Sequence, residues 1–187
     1  MTIHQSAPIV QAIGGIVPEI DLPSIGGGSR TLSSFLAGKK GVVVVFWSET
    51  CSHCIRYDSY LNGFAARFPD IGIFAVASRQ GETFDQIKAT AERRNLTFPI
   101  LHDDGGKVAQ EWFTQQTPRV FLIGADMRLL YRGAIDNFKY PKDVDYQGYL
   151  EPAIESFLAG KQIERTETAS FGCAIRSVYY ILPKPLP

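Results

Sequence analysis

Residues 41–54 read GVVVVFWSETCSHC. The first seven are apolar, mostly β-branched and uninterrupted, the pattern of a strand buried on both faces. Cys51 and Cys54 follow almost at once. The period then changes. In SHCIRYDSYLNGFAARFPD, Ile55, Leu61, Phe64 and Phe68 can share one apolar stripe of a helix, with Cys54 on a nearby face, and Pro69 closes it. The cysteine pair therefore stands where a buried strand turns into a helix.

At that junction Cys51 lies beside unpaired backbone N–H groups and the positive end of the helix dipole, which favour thiolate over thiol. The thiolate is the attacking species in disulfide exchange, and Cys54, one turn deeper, is placed to resolve a mixed disulfide. Two rival uses of the pair are weaker. A structural metal takes about four ligands, and the remaining cysteines and histidines, Cys173, His4, His53 and His102, form no second close pair. A purely structural disulfide closing so short a loop gains little chain entropy. Strand, C-x-x-C and helix together favour redox chemistry.

Outward from this centre the chain reads as alternating elements. A short strand is expected near Glu19–Leu22, a turn at Gly26–Gly28 and a helix over Leu32–Ala37 that stops at Gly38. IGIFAVAS is a second buried strand, ETFDQIKATAERRN a helix, TFPILHD a short extended piece and GGKVAQEWF a turn leading into a helix. PRVFLIGADMRLLYRGAID reads as an antiparallel hairpin, and YLEPAIESFLAG as a last helix with Gly160 after it. The order predicts an α/β fold, a mixed sheet with helices on both faces. Residues 1–15 read as a lead-in, 16–161 as the domain and 162–187 as an extension packing on it. An extended segment is expected at Ala174–Ile181, kept out of a regular sheet interior by its prolines.

Composition narrows the classes. Nineteen basic and nineteen acidic side chains leave no net positive field to hold a phosphate backbone. No apolar run approaches the ~20 residues of a membrane span. The first residues, MTIHQSAPIVQAIGGIVPEI, do not read as a signal peptide, so the expectation is a cytoplasmic protein, or an extracytoplasmic one if a leader has been removed. Mixed charge suggests a monomer. Three cysteines are too few for a disulfide scaffold. GGG at 26–28 lacks the K-[ST] of a phosphate loop and HDDGG at 102–106 lacks a calcium loop's oxygen pattern, so both read as turns.

The segments VPEIDLPSI, VVVVFWSETCSHC, FPILHDDGGKVAQEW, TPRVFLIGADMRLLYRGAIDN and FLAGK resemble the thioredoxin-like superfamily, in its redoxin branch of peroxiredoxin-like AhpC/TSA and TlpA/ResA-like proteins. The resemblance implies a thioredoxin-like sheet, an exposed nucleophile at Cys51, its partner at Cys54, and a cis Thr117–Pro118 peptide beside them whose backbone groups pair with an extended substrate. Trp47 becomes a lid or packing residue, with Ser52 and His53 as modulators. No cofactor or metal is implied. The partners would be a thiol- or disulfide-bearing protein and an electron donor or acceptor.

The family pattern fails in three places. Val45 stands where thioredoxins carry a buried acid, leaving Asp58, Glu49 or water as proton acceptors for Cys54. His53 adjoins the second cysteine, where a histidinium would favour the reduced form, although a reducing-to-intermediate role is otherwise expected. Against the peroxidase pattern, Ser48 supplies the hydroxyl, but Val44 replaces the proline, and the arginine falls at Pro118 rather than at Arg119, itself read as a surface residue. Tyr57 reads as a half-buried helix residue, and Trp112 and Phe113 as packing for a connecting helix. Cys173, in FGCAI, reads first as a buried inert thiol, with a third redox thiol or an intermolecular disulfide as the alternatives. Three functions stay open: thiol:disulfide oxidoreductase, thiol peroxidase, or a non-catalytic binding protein on the same fold.

Overall fold

The computed structural model describes residues 12–176. Two short strands, β1 (Asp21–Pro23) and β2 (Ser29–Thr31), pair antiparallel ahead of helix α1 (Leu32–Leu36), which Thr31 caps by accepting the Ser34 amide at 3.1 Å. The central strand β3 (Gly41–Trp47) runs parallel to β4 (Ile71–Ala77), and β4 runs parallel to β5 (Ile100–His102). Helix α5 (Phe84–Arg93) connects β4 to β5 and begins in a reciprocal capping box between Thr83 and Gln86. Between β3 and β4 lie α2 (Ser52–Ile55), α3 (Asp58–Asn62) and α4 (Phe64–Arg67).

After β5 comes α6 (Lys107–Glu111), then β6 (Gln116–Thr117), β7 (Arg119–Gly124), β8 (Leu129–Gly133), α7 (Leu150–Leu158) and β9 (Cys173–Ala174). Strands β3 and β7 pair antiparallel, as do β7 and β8, so the five-stranded sheet has the order β5-β4-β3-β7-β8 and is mixed.

Every residue of β3 and β4 is buried, and alternation divides them between two cores. Val43, Val45 and Trp47 face the cysteines, Leu61, Phe64, Ile87 and Ile154. Val42, Val44 and Phe46 face Leu32, Phe35, Val108 and Trp112. Helices thus cover both faces of the sheet. On the second side α1 lies tight against β4: a β-carbon at Gly72 would stand 2.4 Å from the Phe35 carbonyl oxygen. HDDGG is a turn whose Asp103 carboxylate accepts the Val108 and Ala109 amides at 3.1 and 3.0 Å and so caps α6.

Three expectations change. The single helix after the cysteines is three short ones. It breaks at Tyr57, whose hydroxyl donates to Asp136 at 2.6 Å beside the Arg56 contacts to the Phe138 and Lys139 carbonyls, and again at Gly63. Trp112 packs against Phe46 and Phe121, but Phe113 is turned outward with φ +49°. Of the extended segment expected at Ala174–Ile181, residues 177–181 lie outside the described residues. Its start forms β9, which pairs with β6 and not with the five-stranded sheet.

Candidate active site

Strand β3 delivers Trp47, and the turn Ser48–Glu49–Thr50 then sets Cys51 at the N-cap of α2, in extended backbone. This turn is held by Glu82, a residue the sequence reading missed. Its buried carboxylate accepts the Ser48 hydroxyl, the Thr50 amide at 3.2 Å and the Thr50 hydroxyl at 3.0 Å. Glu82 precedes α5 and meets the turn only through the fold, so no local pattern marked it.

Neither acid considered as a substitute for Val45 is free. Asp58 is paired with Arg94, whose Nε donates at 2.7 Å, and Glu49 accepts the Thr90 hydroxyl at 2.8 Å. Arg94 in turn lies 5.3 Å from the ring centre of Trp47. Trp47 is fully buried among the cysteine-side core residues, so it packs the site from beneath.

Across from the pair, the Thr117–Pro118 peptide is cis. The Cys51 thiol donates to the Thr117 carbonyl at 3.2 Å. The buried Thr117 hydroxyl makes no hydrogen bond among the described residues and lies beside both sulfurs, where it favours their ionised forms. The resemblance implied an exposed Cys51, and here the structure differs: Cys51 is 0% exposed and Cys54 1%. The cover is strand β9. Cys173 is the register partner of Thr117 and Ala174 that of Gln116, while the Ile175 amide donates to the Gln115 carbonyl at 2.9 Å. Cys173 therefore lies at the site rather than beyond the domain; it is half-buried, with its sulfur against Cys51.

These contacts set the charges. The Cys54 thiol donating to Cys51 is the largest influence. With further help from Cys173 and Thr117 it outweighs burial and brings Cys51 down to about 4. Burial, and then the adjacent Cys51 sulfur, push Cys54 well up, so it keeps its proton. Burial and Cys51 also push Cys173 up. All three are thiols without a disulfide in this structure.

Ser52 and His53 are exposed on α2, the His53 ring edge-on to Phe138 at 5.8 Å. Tyr57 is buried rather than half-buried. Arg119 is half-buried rather than on the surface. It lies on the Phe121 side of β7, opposite Val120 and the cysteines. The Ser48 hydroxyl is committed to Glu82, so neither peroxidase group is aimed at Cys51.

Sheet, helices and sulfur pair together define a redoxin of the thioredoxin-like superfamily. The chain belongs to the AhpC/TSA family, whose profile matches residues 13–132. It is 31% identical over 112 residues to the thiol-disulfide oxidoreductase ResA of Geobacillus kaustophilus, a match covering 60% of this chain and 63% of that protein. With ResA of Bacillus anthracis it shares 28% identity over 91 residues, 49% of this chain and 53% of the other. The chain thus spans less than two thirds of the length of these curated relatives. Among solved structures, a hypothetical protein from Sinorhizobium meliloti 1021 superposes with TM-score 0.78 at 27% identity, covering 88% of this chain and 94% of that one. An uncharacterized conserved protein from Geobacillus kaustophilus gives 0.79 at 20% identity, over 89% and 93%, a likeness of fold alone. Among the described residues no helix is long and apolar enough to cross a membrane.

Proposed function

We propose that the protein is a thiol:disulfide oxidoreductase that exchanges disulfides with protein thiols through Cys51 and Cys54. The observation that carries this reading is the division of labour between the two sulfurs: Cys51 is held as a thiolate by the Cys54 thiol, and Cys54 keeps its proton. Cys51 attacks a substrate disulfide, the near sulfur joins it, and the far sulfur leaves as a thiol. Cys54 then attacks Cys51, releasing the second substrate sulfur and leaving a Cys51–Cys54 disulfide. In reverse, the disulfide oxidises a substrate dithiol. No cofactor takes part; a second thiol system must restore the pair.

A stabilised thiolate favours the dithiol form. This supports placing the pair toward the oxidising end, against the reducing-to-intermediate role expected from the sequence. The commitment of the Ser48 hydroxyl to Glu82 weighs against peroxide reduction. The test is dithiothreitol-driven reduction of insulin, with the parent compared against C51A and C54A. Acceleration by the parent alone supports the reading, and equal rates in all three contradict it.

A further inference from the structure

The sulfur that faces solvent at this site is not the nucleophile. Cys51 and Cys54 are sealed, whereas Cys173 is partly open, and it arrives on a strand laid antiparallel along Thr117. Pairing with a strand edge is how a groove recognises an extended peptide, so residues 172–175 occupy the position of a bound substrate. The docking is close. A β-carbon at Gly172 would stand 1.7 Å from the Thr117 carbonyl oxygen, so only glycine lets the segment lie this flat. The segment is also fixed at both ends. The Gln116 side-chain amide donates to the Ser170 carbonyl, Ile175 is buried in the second core, and the Gln80 amide donates to the Ile175 carbonyl at 2.8 Å. Between these anchors Cys173 lies within hydrogen-bond reach of the Cys51 sulfur and of the His53 backbone N–H, which partly offsets the burial and the Cys51 sulfur that hold Cys173 as a thiol in the reduced protein.

We propose that Cys173 is a third redox thiol, a built-in substrate that carries the disulfide from the sealed pair to the surface. This rests on the reading of Cys51 and Cys54 as an exchanging pair. The Cys173 thiolate attacks the Cys51 sulfur of the Cys51–Cys54 disulfide. The Cys51–Cys173 bond forms, the Cys51–Cys54 bond breaks, and Cys54 leaves, taking up the proton that Cys173 gave away. One disulfide and one thiol stand on each side, so this step needs no outside oxidant. A substrate thiolate then attacks Cys173 and expels Cys51 as a thiolate. The second substrate thiol displaces Cys173, leaving the substrate oxidised and all three protein sulfurs reduced. The steps run backwards when a substrate disulfide is reduced.

The experiment uses the full chain. C54S is oxidised with diamide at several protein concentrations, alkylated and digested with trypsin. The expected product is one disulfide joining peptide 41–56 to peptide 166–176 in a monomer, with a yield independent of concentration. Products lacking this intramolecular link, such as intermolecular dimers alone or two free thiols, would overturn the proposal. In a second arm C173S is compared with the parent. It is expected to form the Cys51–Cys54 disulfide with dithiothreitol-based buffers yet to exchange with insulin severalfold more slowly. Insulin exchange as fast as the parent's, or faster, would mean that the strand is only a cover and would also overturn the relay. Failure of C173S to form the Cys51–Cys54 disulfide would instead count against the underlying oxidoreductase reading, which the C54S arm does not test.

Discussion

Thr117 meets Cys51 through its carbonyl, which accepts the thiol at 3.2 Å, while its buried hydroxyl beside the sulfurs makes no hydrogen bond among the described residues. Ionisation of Cys51 reverses the first contact, since a thiolate has no proton to give, and makes the hydroxyl the useful donor. T117V removes that donor at nearly constant volume. A hydrogen bond to a charged group is worth about 1.5–3 kcal/mol, so the Cys51 midpoint is expected to rise by about 1–2 pH units. The ultraviolet absorbance of the thiolate, followed against pH, reads it. An unchanged midpoint would remove Thr117 from the account.

The proton count of the reduced pair gives a second expectation. With Cys51 ionised above about 4 and Cys54 protonated well above the ordinary thiol range, reduction takes up two electrons and one proton. The reduction potential should therefore fall by about 30 mV per pH unit around neutrality. It should steepen to about 60 mV per pH unit below the Cys51 midpoint, where two protons are taken up. A slope near the steeper value at pH 7 would mean that Cys51 is a thiol there.

The same ionisation links pH to folding of the reduced protein. Cys51 is depressed relative to an unfolded thiol. Its contribution is fully present above the ~8.5 of a free cysteine and is lost as pH falls through about 4. Urea unfolding of the reduced parent and of C51A, from pH 4 to 8, is expected to show a gain with pH in the parent that the variant lacks. Parallel curves would contradict it.

Glu82 offers a structural test. It is buried and accepts three hydrogen bonds from Ser48 and Thr50. E82A leaves those donors without their carboxylate and is expected to cost about 2–3 kcal/mol in urea unfolding. A loss within the ~0.5 kcal/mol of an ordinary surface change would show that the turn does not depend on it.

Much of this arrangement was legible in the chain. Strand GVVVVFW, the hairpin around Ala125–Asp126 and the last helix before Gly160 declare themselves through local period and turn chemistry, and all three form. The C-x-x-C pair was legible for the same reason: its meaning comes from the strand before it and the helix after it. What local pattern does not carry is closure across the fold. Glu82 reaches the cysteine turn over 34 positions. Cys173 reaches Thr117 over 56 positions, through two paired residues too few to show a period. The helix breaks at Tyr57, whose hydroxyl is held by an aspartate 79 positions away, a contact no local period announces.

Gly172 tests the cover directly. In G172A the added methyl meets the Thr117 carbonyl and forces the strand off. Alkylation of Cys51 by iodoacetamide at pH 7 is expected to speed up severalfold relative to the parent. An unchanged rate would show that the docked strand does not limit access to the nucleophile.

The central claim is that Cys51 and Cys54 form one exchanging dithiol. Its most direct measurement is the equilibrium of C173S with glutathione redox buffers, quenched in acid, alkylated and mapped by mass spectrometry. With the third cysteine absent, the account expects a single two-electron transition to an intramolecular Cys51–Cys54 disulfide. Its midpoint should lie above the ~−270 mV of thioredoxin, because the Cys51 thiolate stabilises the reduced form. Persistence of both thiols across the buffer range, or accumulation of glutathione on Cys51 without closure onto Cys54, would contradict it.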